Sequence, residues 1–114
     1  MGNESGAPLM RVETLIYKLE NGGLGTSLSV TDAGESVSLT GGGSRLLVAN
    51  TGLFDAFILI DEAGETPSLN GQWIPAKTSV LFHIPPDWEY DTAYGICASG
   101  ETTRLIFYTG DEGV

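Results

Sequence analysis

From Thr26 to Thr109 apolar and polar residues alternate in short runs, and turn-forming residues divide the runs. In TSLSVT (26–31) Leu28 and Val30 share a side; in SVSLT (36–40) Val37 and Leu39 do. RLLVAN (45–50), DAFILIDE (55–62), TSVLFHI (78–84), TAYGICA (92–98) and TRLIFYT (103–109) follow, and GQWIP reads as a short edge strand. TSVLFHI points Val80, Phe82 and Ile84 to one side, and TAYGICA does the same with Tyr94, Ile96 and Ala98. Successive side chains of a strand point to opposite faces, so each run describes a ribbon with one buried side. DAGE, GGGS, NTG, EAGE and SGET supply the breaks. Seven or eight strands at this spacing predict an all-β domain over residues 25–114, an antiparallel β-sandwich or jelly roll. No long helical pattern separates the strands, which leaves out the crossovers a parallel sheet needs.

Two runs are apolar on both sides. In AFILI, Ala56, Ile58 and Ile60 oppose Phe57 and Leu59; in LIFY, Leu105 and Phe107 oppose Ile106 and Tyr108. A sandwich strand needs only one dry face. Either the N-terminal segment covers the second face, or that face docks on another protein chain.

Residues 8–24 depart from alternation. Leu9, Val12, Ile16 and Leu19 fall at helical spacing, with Leu15 widening the stripe, Pro8 suited to a first turn and Gly22 or Gly23 to a stop. A helix of about three turns fits, and one that short needs tertiary packing to persist. An extended arm with Leu15, Tyr17 and Leu19 on one side fits as well. Residues 1–7 read as a flexible tail.

The 114 residues suit one domain, and 41% of them are apolar, enough for one core. Fifteen acids against five bases give a net charge of −10. That balance argues against phosphate-backbone binding, which needs clustered Lys and Arg, and against anionic membranes; a basic protein surface would suit it. The apolar runs are too short to cross a bilayer, and no secretory signal opens the chain. One Cys, Cys97, rules out an intrachain disulfide, and its apolar strand suits a small buried hydrophobe.

Candidate chemistry is sparse. His83 is the only His and alternates with Phe82 and Ile84, which turns it outward. No nucleophile elbow, zinc-protease, P-loop or dinucleotide motif is present, and GGLG and GGGS lack the strand-to-helix setting of a phosphate loop. Asp87, Glu89 and Asp91 would share one face of an extended segment, as calcium ligands can, yet the calcium-loop pattern is missing; solvated charge that blocks edge pairing is the preferred reading. Trp73, Trp88, Tyr90 and Tyr94 would serve a sugar platform or a protein interface equally. FHIPPDWEYD (82–91) reads as a strand end and a corner: Pro85 removes a ladder donor, Pro86–Asp87 starts a turn, and Trp88 caps the end of the sandwich.

LLVANTG, DAFILI, IPAKTSVLFHIP and ICASGETTRLIFYTGDEG together resemble small virion proteins of tailed bacteriophages, capsid decoration or cement proteins among them. The matching positions are Val48-Ala49-Asn50-Thr51-Gly52, Ala56-Phe57, Ile74-Pro75-Ala76, Phe82, Ile84-Pro85, Ala98-Ser99-Gly100, Thr109-Gly110 and Glu112-Gly113, within residues 45–114. EAGETPSLNGQW is long and acidic against that pattern, and the N-terminal segment has no counterpart in it. The resemblance implies a structural protein with no catalytic residues and no cofactor, made in the host cytoplasm and carried on the virion. Its partner would be the major capsid protein, and it would self-associate as a dimer or trimer. The interface expected on this reading comprises Leu9, Val12, Ile16, Leu19, Phe57, Leu59, Trp73, Trp88 and Tyr90. The alternative function is a carbohydrate- or receptor-binding module of a phage fibre or tail.

Overall fold

The computed structural model describes residues 18–19, 25–39 and 43–111. Among them are nine strands: β1 (Lys18–Leu19), β2 (Thr26–Val30), β3 (Glu35–Ser38), β4 (Arg45–Asn50), β5 (Ala56–Asp61), β6 (Gln72–Ile74), β7 (Thr78–His83), β8 (Thr92–Ile96) and β9 (Thr103–Asp111). They form two antiparallel sheets packed face to face. One runs β2-β9-β4-β7, with the two-residue β1 pairing the end of β9 on the same edge as β2; the other runs β3-β8-β5-β6. Each sheet is therefore four strands wide.

The pairing is nested. β5 pairs β6, β4 pairs β7, β3 pairs β8 and β2 pairs β9, each antiparallel. The chain is in effect one long double ribbon folded back at the β5–β6 hairpin, with successive ribbon segments laid in alternate sheets. Two further pairings, β4 with β9 and β5 with β8, close the roll. This is jelly-roll topology, one of the two architectures the alternation predicts. The strand limits fall within two residues of those read from the sequence. The main difference is β9, which continues past Thr109 because Gly110 and Asp111 pair with Leu19 and Lys18.

The core lies between the sheets. Leu28, Val30, Leu46, Val48, Leu105 and Phe107 come from one, Ala56, Ile58, Ile74, Ala93 and Cys97 from the other. Phe107 is 1% exposed, and truncating a phenyl ring so placed costs about 3–5 kcal/mol. In β8 the core side is Ala93 and Gly95, continued by Cys97 just past the strand, and not the Tyr94-Ile96-Ala98 side that the alternation singles out, because only the small side chains fit against Val30 and Leu105. Tyr94 and Ile96 point the other way, and Tyr94 is nonetheless 3% exposed.

Asn50 is buried at the end of the inward series Leu46-Val48-Asn50. Its amide nitrogen donates to the carbonyls of Phe54 and Ile74, each at 3.0 Å. Its oxygen accepts from Gly52 N–H (3.1 Å) and the Thr103 hydroxyl (2.6 Å). Two donors and two acceptor sites are all an amide side chain offers, so Asn50 is saturated. It ties β4, β6 and β9 to the 51–55 turn. A Cβ at Gly52 would collide with Thr103, which explains glycine there.

The expected tail and most of the N-terminal segment, with Leu9, Val12 and Ile16, lie outside the described residues. Within that segment only Lys18–Leu19 is described, and its backbone is extended.

Candidate functional site

Register places the outward side chains of each sheet. On the β3-β8-β5-β6 sheet, Trp73, Phe57 and Ile96 form one cross-strand row, and Leu59 and Tyr94 sit side by side in the next. The 62–71 loop is fastened to this face. Tyr94 hydroxyl donates to the Glu62 carbonyl and accepts from Glu65 N–H (3.0 Å). Pro67 sits so close to Gly34 that a Cβ there would lie 2.8 Å from its ring and 3.8 Å from Ile96. Gly34 also has φ of +87°, which glycine adopts without strain. The acidic-looking insertion thus serves as a strap. Phe57 and Leu59 point outward as the alternation requires, but both are half-buried beside it.

On the other sheet, Leu81, Leu47 and Tyr108 form a cross-strand row, and Ala49 and Ile106 extend it. These side chains are half-buried. The surrounding positions are polar. Ser27 and Ser29 stand on the β2 side, where Arg104 donates to the Ser27 hydroxyl (3.0 Å). Arg45 lies between Gly110 and His83 at one end. At the other, Lys77 Nζ donates to the Thr51 carbonyl (3.2 Å). The outward positions of β2, β4, β7 and β9 hold no Asp or Glu among the described residues, in a chain of net charge −10. Three loops hydrogen-bond elsewhere: 62–71 to Tyr94, 84–91 to Ile60, Asp61 and Gly43, and 97–102 to Asp32. Thr51 bonds the Arg104 carbonyl at the margin, and Gly25 lies so close to Ile106 and Tyr108 that a Cβ there would collide with both.

The third feature is a groove of about 670 Å³ on the side where β6 and β7 are the edge strands. Phe82, His83, Ile84 and Pro85 form one wall, Ile58, Leu59 and Ile60 the floor, and Asn70, Gly71, Gln72 and Trp73 the other wall. Ile84, Pro85 and Trp88 line this groove and also a neighbouring cavity of about 340 Å³ that includes Glu89 and Tyr90. Both indoles are anchored: Trp73 Nε1 donates to Asp55 Oδ2 (3.0 Å) and Trp88 Nε1 to the Ile60 carbonyl (3.2 Å). Asp55 also accepts from Ala76 N–H (2.9 Å). That backbone bond, with the Trp73 indole second, holds its carboxyl below the ordinary value of 3.8.

The expected site residues therefore separate. Trp73 and Trp88 are 54% and 48% exposed and meet at the groove. Tyr94 is consumed by the strap. Tyr90 packs against the core and donates its hydroxyl to the Gly43 carbonyl (3.1 Å), so it is no platform ring. A sugar platform of all four rings does not form, because Tyr94 is buried and Tyr90 is turned to the core. His83 is exposed, as predicted. The corner at 85–88 is closed by Trp88 N–H donating to the Pro85 carbonyl (3.0 Å), and no described peptide bond is cis.

Asp87, Glu89 and Asp91 do not converge: among the described residues no three His, Cys, Asp or Glu form a metal-holding group. Cys97 is buried, with its thiol 3.9 Å from the Val30 carbonyl. Burial pushes the thiol pKa up, and the charges of Glu101, Asp32 and Asp55 add to that. It is chemically quiet where it stands. No helix among the described residues is long and apolar enough to cross a membrane. No protein-family model matches the chain, and no curated protein or solved structure does either.

Proposed function

We propose that this chain is a structural virion protein of the capsid-decoration type, which docks on the outer shell through the β2-β9-β4-β7 face and catalyses nothing. One observation carries the reading: an apolar patch with basic margins and, among the described strand positions, no outward acid, on a strongly acidic protein. A sheet face meant for water would alternate polar residues outward. An apolar centre with a polar, Arg-containing rim is the anatomy of a protein interface. The partner surface that fits is apolar with acidic edges, and the major capsid protein is the partner the sequence resemblance implies. The jelly roll adds rigidity but decides nothing by itself, since one fold hosts many functions.

The test is reconstitution. Purified protein is mixed with particles that lack it and imaged by electron microscopy. Density at repeating positions on the shell, with this face inward, is the expected result. Particles that stay bare refute the reading.

A further inference from the structure

We propose that the groove between β6 and β7 is a binding site for an uncharged saccharide. This does not depend on the capsid reading: it concerns a different surface, the sandwich side rather than the outer face, with His83 at their border.

The lining chemistry selects the ligand class. Among the described residues twelve line the groove, and none of these is Asp, Glu, Lys or Arg, although the chain carries twenty such residues. An ionic ligand would find no counter-charge in the groove. The polar groups on offer are the amides of Asn70 and Gln72 and the imidazole of His83, all on exposed residues. An amide donates and accepts at once, which matches a hydroxyl that does the same. The apolar groups within reach are two indoles with Leu59, Ile60, Phe82 and Pro85, backed by the buried Ile58 and Ile84. A pyranose has this split character, with an apolar C–H face and a rim of hydroxyls.

The indoles are prepared for stacking. Each uses its only donor on the protein, Trp73 on Asp55 and Trp88 on Ile60. What remains exposed is ring surface, held in a fixed orientation. Preorganisation of this kind reduces the ordering cost that weakens small-ligand binding. The volume falls within the roughly 300–1,000 Å³ usual for small-ligand sites.

An extended peptide fits less well. It would bind here by adding to the β5 edge beyond Ile58, where β6 stops. That edge is already capped. The Ile60 carbonyl accepts from Trp88, and the Ile58 carbonyl lies against Gly71, 2.6 Å from where a Cβ would stand.

The experiment is a two-dimensional ¹H–¹⁵N NMR titration of the full chain with maltotriose, cellotriose and N,N′,N″-triacetylchitotriose. A sulfated trisaccharide and an octaproline peptide serve as comparison arms. At least one neutral sugar at millimolar concentration is expected to shift the indole N–H signals of both Trp73 and Trp88. Trp73→Ala and Trp88→Ala should each weaken that sugar about tenfold or more, equivalent to about 1.4 kcal/mol. Gln72→Ala, an exposed edge position, tests the same site without truncating a ring and should weaken it several-fold while the rest of the spectrum keeps its dispersion. The proposal is overturned if none of the neutral sugars moves the indole signals. It is equally overturned if the sulfated sugar or the peptide binds there in preference, or if Gln72→Ala and the Trp variants bind as wild type does.

Discussion

Phe57, Leu59, Tyr94 and Ile96 lie on the outside of one sheet; Leu47, Leu81, Ile106 and Tyr108 lie on the outside of the other. Each group has at its centre a run that is apolar on both sides, AFILI in the first and LIFY in the second, and both would be costly to leave in water. The first group is met by the protein's own 62–71 strap, pinned through the Tyr94 hydroxyl. The second is ringed by Arg45, Arg104 and Lys77, is touched at its Ile106–Tyr108 end by Gly25, and has no strap pinned across it among the described residues. The same sequence signal thus has two physical outcomes. One face is completed within the chain. The other has the composition of a surface that is completed by contact.

Both faces ride on one frame, and Asn50 ties three of its strands together with four hydrogen bonds. Asn50→Ala removes four hydrogen bonds and strands the Ile74 carbonyl and Thr103 hydroxyl in a buried place. We expect a loss of about 2–4 kcal/mol in denaturant unfolding. A change below 1 kcal/mol would show that the two sheets hold together without it.

Tyr94→Phe sharpens the contrast by unpinning only the strap. It removes two hydrogen bonds and leaves the ring, so stability should fall by about 1–2 kcal/mol. Limited proteolysis should become faster within residues 62–71, and binding of a fluorescent apolar dye should rise as Ile96 and the Tyr94 ring are uncovered. Unchanged cleavage and dye binding would mean that the strap is not held by Tyr94.

A smaller effect separates the groove from both faces. Asp55 has its carboxyl pKa lowered in the folded state by the Ala76 N–H and then by the Trp73 indole. Its contribution is therefore fully present above the ordinary value of 3.8 and is lost as pH falls through the lower folded value. The Trp73 indole N–H signal should move with a midpoint below 3.8, and Asp55→Asn should abolish that titration. A midpoint above 3.8 would contradict the anchor. The smallest change expected is at Lys77, a non-glycine residue at φ of +61°. Lys77→Gly relieves that backbone but loses the bond to Thr51, so stability should stay within about 1 kcal/mol of wild type.

Much of this architecture was legible in the sequence, because alternation is a direct record of strand geometry. Leu46-Val48-Asn50 even placed a polar residue on the core side, which was the available signal for the buried amide. Strand order was not legible. Pairing of β2 with β9 or β3 with β8 joins residues more than fifty positions apart, and nothing local encodes it. The strap was missed for a related reason: EAGETPSLNG has no period, and its role depends on where Tyr94 lies in another strand. Tyr94 itself misled: with Ile96 and Ala98 it makes the bulkier side of its ribbon, yet the core takes Ala93, Gly95 and Cys97, and Tyr94 is buried from the other side by a loop that the sequence does not place there. The candidate groove was partly visible in Trp73 and Trp88. What distinguished them from Tyr90 and Tyr94 was a hydrogen-bond partner for each ring, which only the fold supplies.

The most direct test of the central claim is co-sedimentation with particles that lack the protein, comparing Leu47→Glu and Leu81→Glu with Leu59→Glu and with wild type, each first checked for an unchanged melting curve. If the β2-β9-β4-β7 face makes the contact, the first two lose particle binding while Leu59→Glu retains it. Binding that survives Leu47→Glu and Leu81→Glu would contradict the account.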